Sequence, residues 1–76
     1  MQSFPAPKWG FIDKTGRFVL NAQFRWAGRF SEGLAPVKVG DKYGYIDKTG
    51  TIAIPPRFSK AESFSEGLAA VGIADK

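Results

Sequence analysis

Aromatic and aliphatic residues recur at every second position over residues 9–13, where Trp9 and Phe11 flank Gly10 and Asp13 closes the run. A period of two belongs to a pleated strand. Asp13-Lys14-Thr15-Gly16 then breaks the pattern. A first-position Asp can accept a local backbone hydrogen bond, and a last-position Gly suits the left-handed residue of a short bulged hairpin loop. Residues 17–20 resume with aromatic and β-branched side chains and predict a second strand. Residues 43–47, the turn Asp47-Lys48-Thr49-Gly50 and residues 51–54 repeat the arrangement, and Pro55-Pro56 is expected to stop that strand because proline donates nothing to a ladder. Residues 34–39 and 68–73 read as third strands. Only Gly40-Asp41 separates residue 39 from residue 42, so residues 34–54 predict a continuous three-stranded antiparallel meander. Residues 24–33 and 58–67 show no clean period. Phe24, Ala27 and Phe30 sit three apart, as a short helical turn would place them, but Gly28 and the brevity of the stretch favour a loop pinned to the sheet by its Phe pair.

These elements come twice. Shifted by 34 residues, residues 8–41 lie over residues 42–75 without a gap, and 17 of the 34 positions are identical. The organisation is therefore an N-terminal tail at residues 1–7, a first repeat at 8–41 and a second at 42–76, together one small β module. The expected fold class is all-β, with tandem three-stranded antiparallel meanders forming a closed or ring-like repeat assembly.

The paired motifs K-W-G-F-I-D-K-T-G and K-Y-G-Y-I-D-K-T-G, each followed by F-S-E-G-L-A, resemble the WG repeat, a β-rich repeat found mainly in bacterial proteins. The resemblance spans nearly the whole chain. The second copy departs by placing Tyr43 where the Trp stands, an aromatic exchange compatible with the same packing. The resemblance implies tandem arrays with a binding or scaffolding role, and it carries no catalytic residues to this chain.

Composition narrows the chemistry. At 76 residues and 8.3 kDa the chain is one small domain or part of something longer, with an ordinary globular balance of apolar and charged residues. No cysteine is present, which removes disulfides, thiolate metal sites and thiol nucleophiles. No histidine is present, which removes the usual general base and the commonest zinc ligand. No catalytic residue, metal site or cofactor is therefore assigned, and the chain is not expected to be an enzyme. No signal pattern or membrane-length apolar run is evident, so no membrane contact is expected; the compartment is unknown, with the cytoplasm as the default.

The recurring carboxylates Asp13, Asp47, Glu32 and Glu66 could in principle form an acid–base pair. Each sits in a turn where local hydrogen bonding accounts for it, and Asp13, Gly16, Asp47 and Gly50 are taken as structural turn residues. Trp9, Phe11, Tyr43 and Tyr45 could build an aromatic ligand platform, but their regular repetition fits packing between repeats better. The net charge of +4 is uneven: the first repeat carries +3, the second is neutral, and Lys76 supplies the rest. The excess comes from Arg17, Arg25, Arg29 and Lys38. Arg25-Trp26-Ala27-Gly28-Arg29 combines cations with an aromatic, so Arg25, Trp26 and Arg29, with Arg17 and Lys38, are the candidate contacts for a glycan or acidic polymer. Nucleic acid is not the expected ligand.

The favoured expectation is a non-catalytic module for protein–protein contacts or self-assembly. A chain this short without staples has a thin core. Its first strand lacks the preceding L-A-x-V strand, and its last lacks a following K-W-G strand. Trp9, Phe11 and Asp13 at one end and Leu68, Val71 and Ile73 at the other are thus candidate self-association edges. They could pair within one chain and close a ring, or pair with a neighbour as a homo-oligomer. The neighbour is favoured.

Overall fold

The computed structural model describes residues 8–73, so the expected tail at residues 1–7 and the last residues of the second repeat, 74–76, lie outside the described part. Eight strands follow in chain order: β1 (Trp9–Ile12), β2 (Phe18–Phe24), β3 (Trp26–Ala27), β4 (Leu34–Val39), β5 (Lys42–Asp47), β6 (Ile52–Phe58), β7 (Lys60–Ala61) and β8 (Val71–Gly72). All pairings are antiparallel. They form a central sheet in the order β3-β4-β5-β6, flanked by the two-stranded sheets β1-β2 and β7-β8.

The central sheet is built across the repeat boundary. The Gly40-Asp41 connection, with Gly40 at a φ of 63°, folds β4 of the first repeat onto β5 of the second, and the register runs from Val39↔Lys42 to Leu34↔Asp47 without interruption. The expected meander over residues 34–54 is present, with β3 added at its edge. Nearly all the fully buried side chains belong to this hairpin: Ala35, Pro36, Val37, Tyr45 and Ile46 are almost completely shielded from solvent. Phe24 and Ala27 join Ala35, Val37 and Ile46 in one cluster, against which Phe11, Leu20 and Phe30 pack from the first repeat.

Outside the hairpin, the elements depart from simple alternation in ways the backbone explains. In β1-β2, Trp9 pairs with Phe24 and Phe11 with Leu20, so Asn21, Ala22 and Gln23 together face Gly10 alone. In β5-β6, Tyr43 pairs with Phe58 and Tyr45 with Ile54, so Pro55, Pro56 and Arg57 face Gly44. The double excess bows the partner backbone onto the glycine. A Cβ on Gly10 would lie 2.6 Å from the Leu20 carbonyl oxygen, and one on Gly44 would lie 2.6 Å from that of Ile54. Glycine here gives room for a neighbouring backbone. Pro55-Pro56 consequently does not stop the strand: β6 runs through both prolines to Phe58, because in the bulge their missing N–H groups remove no ladder bond that regular pairing would need.

Residues 24–33 contain the short strand β3 and no helical turn. Trp26 pairs with Lys38 and Ala27 with Val37. The loop is pinned as expected, since Phe24 is buried and Phe30 stacks at 4.9 Å on Phe11. The third strand of the second repeat is shorter than residues 68–73. Val71 and Gly72 alone form a strand, paired with β7, and Leu68 makes an isolated bridge to Ser65; among the described residues the segment has no counterpart of β5 on its other side. Likewise β1 pairs with β2 alone and β8 with β7 alone, so the described residues form an all-β, tandemly repeated architecture that does not close within the chain into a barrel or ring.

The turns take the expected form. Gly16 and Gly50 hold φ values of 91° and 90°, and their N–H groups donate to the carbonyls of Asp13 and Asp47 at 3.0 Å. Their surroundings differ. Nothing approaches a Cβ placed on Gly16, whereas one on Gly50 would meet Leu20 Cδ2 at 2.6 Å. Gly16→Ala should therefore cost about 1 kcal/mol through the left-handed backbone alone. Gly50→Ala should lower the midpoint of chemical denaturation further, because Leu20 must also yield; equal losses would show that Leu20 is not seated on that turn.

Candidate functional site

The two ends of the molecule expose what its middle buries. Ile46 is fully shielded, while Ile12, its equivalent one repeat earlier, is 60% exposed. Val37 is fully shielded, while Val71, its equivalent one repeat later, is 40% exposed. Leu68 and Ile73 are exposed beside Val71, and Trp9, Phe18 and Val19 beside Ile12. These are the same residue types in the same local structure. The difference is the neighbour: β4 and β5 cover one another, and the described residues offer β1 and β8 no such cover. At the N-terminal end the uncovered face includes an apolar cavity of about 270 Å³, lined by Phe11, Ile12, Val19, Leu20 and Phe30, with Asp13 and Lys48 as its charged lining residues.

Hydrogen bonds between the repeats show how one unit stacks on the next. Ser31 Oγ donates to the Phe64 carbonyl at 2.7 Å, and the Gly67 N–H donates to Glu32 Oε1 at 2.9 Å. Glu32-Gly33 and Glu66-Gly67 are the central pairs of two tight hairpins, closed by reciprocal backbone bonds between Ser31 and Leu34 and between Ser65 and Leu68. Both central residues are left-handed in each, with Glu32 at 56° and Glu66 at 53°. Asn and Gly suit such positions and Glu does not, so the Glu is held at an energetic cost of about 1 kcal/mol or more. Its return is visible at Glu32, whose carboxylate reaches the next repeat. The expectation that this glutamate serves a local turn is thereby corrected: its partner lies 35 residues away. Sequence reasoning missed this link, although a repeated Glu at the left-handed site of an E-G turn was the available signal.

Asp13 and Asp47 do serve their own turns. Asp13 Oδ1 accepts from Thr15 Oγ1 at 2.6 Å, from the Thr15 N–H at 2.9 Å and from the Arg17 N–H at 3.2 Å. Asp47 Oδ1 has the same set from Thr49 Oγ1, the Thr49 N–H and the Thr51 N–H. The hydrogen bond from the threonine hydroxyl is the leading cause holding each carboxyl below its ordinary value of 3.8.

Of the basic candidates, Arg25 and Lys38 lie side by side, the Arg25 N–H donating to the Lys38 carbonyl at 3.0 Å. Arg17 follows the first turn, and Arg25 and Arg29 are exposed on either side of β3. Trp26 is half-buried: its ring meets Tyr43 edge-on at 5.7 Å and lies against the Gly28 backbone, where a Cβ would be 2.9 Å from the indole. Lys38, opposite Trp26, sets its ammonium 5.4 Å above the Tyr43 ring. The aromatics are likewise paired internally. Tyr45 stacks edge-on against Phe64 at 5.0 Å and donates its hydroxyl to the Glu62 carbonyl at 2.7 Å. Burial raises the Tyr45 pKa. No cluster of three or more acidic side chains that could hold a metal ion occurs among the described residues.

The family model for the WG containing repeat matches residues 9–43 and again residues 43–76. The chain belongs to the WG repeat family. Searches of curated proteins and of solved structures found no significant match. Within each WG repeat the Gly of the name is the residue that the partner strand's bulge approaches. The aromatic before it is Trp9 on the exposed end and Tyr43 in the covered middle.

Two measurements check this account. Because the folded-state pKa of Asp13 and Asp47 is depressed, their contribution is present above the ordinary value of 3.8 and is lost as pH falls through the folded values. Thermal midpoints should be insensitive to these groups near neutral pH and fall in acid, and Asp13→Asn with Asp47→Asn should flatten that acid limb. Tyr45→Phe should cost about 1 kcal/mol for the lost hydroxyl bond, with the ring contact kept, as Phe11 keeps its contact with Phe30. A thermal midpoint equal to that of the parent chain would contradict the bond to Glu62.

Proposed function

We propose that the chain is a non-catalytic β-repeat module that makes protein–protein contacts by stacking further WG-type repeat surface on its two open ends. The observation that carries this reading is the exposure of Ile12 and Val71 where Ile46 and Val37 are fully shielded. Each such side chain stabilises by about 1.5–3 kcal/mol when buried, and exposed sheet edges of this kind attract further strands. Repeat architectures draw stability from contacts between neighbours, so an uncovered end is a docking surface for the same kind of unit. The non-catalytic part of the reading rests on the carboxylates. Asp13, Asp47 and Glu32 are engaged in holding turns and repeats together.

The test is to append an in-phase third repeat after Lys76, which is already the equivalent of Lys42, by adding a copy of residues 43–75. Covering Leu68, Val71 and Ile73 should raise the thermal midpoint by several degrees and protect the amides of residues 68–73 from exchange. An unchanged midpoint with unprotected amides would show that this end does not take a WG-type repeat.

A further inference from the structure

We infer that the occupant of the open ends is a second copy of this chain, docked head to tail in a defined register. The inference rests on the reading of the ends as repeat-docking surfaces and names the partner. Its basis is the central hairpin. The strands that mate there, β4 and β5, are the repeat equivalents of residues 68–73 and of β1, so each chain carries at its two ends both halves of an interface it has already formed once. Carried over by one repeat, that register sets Leu68 opposite Asp13 of the second copy, Val71 opposite its Gly10 and Gly72 opposite its Trp9. The half-sheets β7-β8 and β1-β2 then join as a four-stranded sheet like β3-β4-β5-β6.

The side chains agree with the backbone. Ile46 completes a cluster with Phe24, Ala27, Ala35 and Val37. The same cluster one repeat on is Phe58, Ala61, Ala69 and Val71, and its fifth member is Ile12 of the second copy. A one-residue slip would turn Ile12 away from this cluster. The polar links extend in the same way. Ser65 Oγ takes the Phe30 carbonyl of the second copy, as Ser31 takes Phe64, and Glu66 accepts from the Gly33 N–H of the second copy, as Glu32 accepts from Gly67. This gives the left-handed Glu66 the role that Glu32 fills within the chain. Head-to-tail contact also sets a neutral second repeat against the basic first repeat, whereas head-to-head contact would oppose two repeats of +3. The interface is heterologous and closes into a cyclic oligomer where the rotation permits.

Three experiments test it on the full 76-residue chain. Ile12→Asp removes the head surface and Val71→Asp the tail surface, so each variant alone should run as a monomer in analytical ultracentrifugation. Their equimolar mixture should form a heterodimer through the one intact pair of surfaces. A parent chain that stays monomeric at tens of micromolar, or a mixture that forms no heterodimer, overturns the second-copy partner; the appended-repeat experiment still decides separately whether the ends dock WG-type repeats. The register is read by cross-linking, which the absence of native cysteine makes clean. Gly72→Cys mixed with Trp9→Cys should give a covalent dimer under mild oxidation, since Lys38 and Tyr43 occupy the equivalent pair. Ile73→Cys mixed with Trp9→Cys should not. A reversed or equal pattern overturns the register. Glu66→Gly should leave folding of the monomer intact and weaken self-association several-fold; undiminished association overturns the Glu66 contact.

Discussion

The pairing of β4 with β5 across the repeat boundary is the interaction on which the rest of the molecule depends. It joins the last strand of one repeat to the first strand of the next through Gly40-Asp41. The side chains best shielded from water belong to these two strands. Phe24 and Ala27 of the first repeat gather on one face of this hairpin, and on the other Tyr45 reaches Phe64 and Glu62 of the second. A WG repeat is thus a poor unit of stability. The better unit is the junction between two repeats, which this chain contains once.

Close backbone approach is the second constraint. A strand bearing two extra residues must bow, and it can bow only where the facing residue has no side chain. Gly10 and Gly44 meet that condition, and the aromatic or aliphatic residues on either side keep the register. Because the excess residues lie in the bulge, they need not be good strand formers. Asn21-Ala22-Gln23 in one copy and Pro55-Pro56-Arg57 in the other occupy it with the same result. The variable part of the repeat and its constant glycine are two sides of one steric arrangement.

Stacking between repeats uses a different device. The S-E-G-L hairpin holds a glutamate in a conformation costly for it, and the carboxylate so presented reaches the backbone of the following hairpin. The charge-assisted bond is exposed to solvent and is a modest source of stability. It fixes orientation, as does Ser31 on the Phe64 carbonyl. Among the cations peculiar to the first repeat, Lys38 packs with Trp26 around Tyr43, and Arg25 lies beside Lys38 through its backbone N–H.

The 34-residue repeat, the all-β class, the D-K-T-G turns with left-handed Gly16 and Gly50, and the Gly40-Asp41 hairpin were all legible in the sequence, because each follows from local chemistry or from comparing the chain with itself. The passage of β6 through Pro55-Pro56 was not legible, since a proline's effect on a strand depends on whether its position needs an N–H, and only the bulge opposite Gly44 decides that. The reach of Glu32 to Gly67 was hidden for the same reason: a side chain's partner 35 residues away is fixed by how repeats stack. Nor could alternation of residue types tell Ile12 from Ile46, each of which follows an aromatic residue and precedes the same D-K-T-G turn. One is exposed and the other buried because β5 has a strand on both sides and β1, among the described residues, on one side only, and that is a property of the assembled sheet.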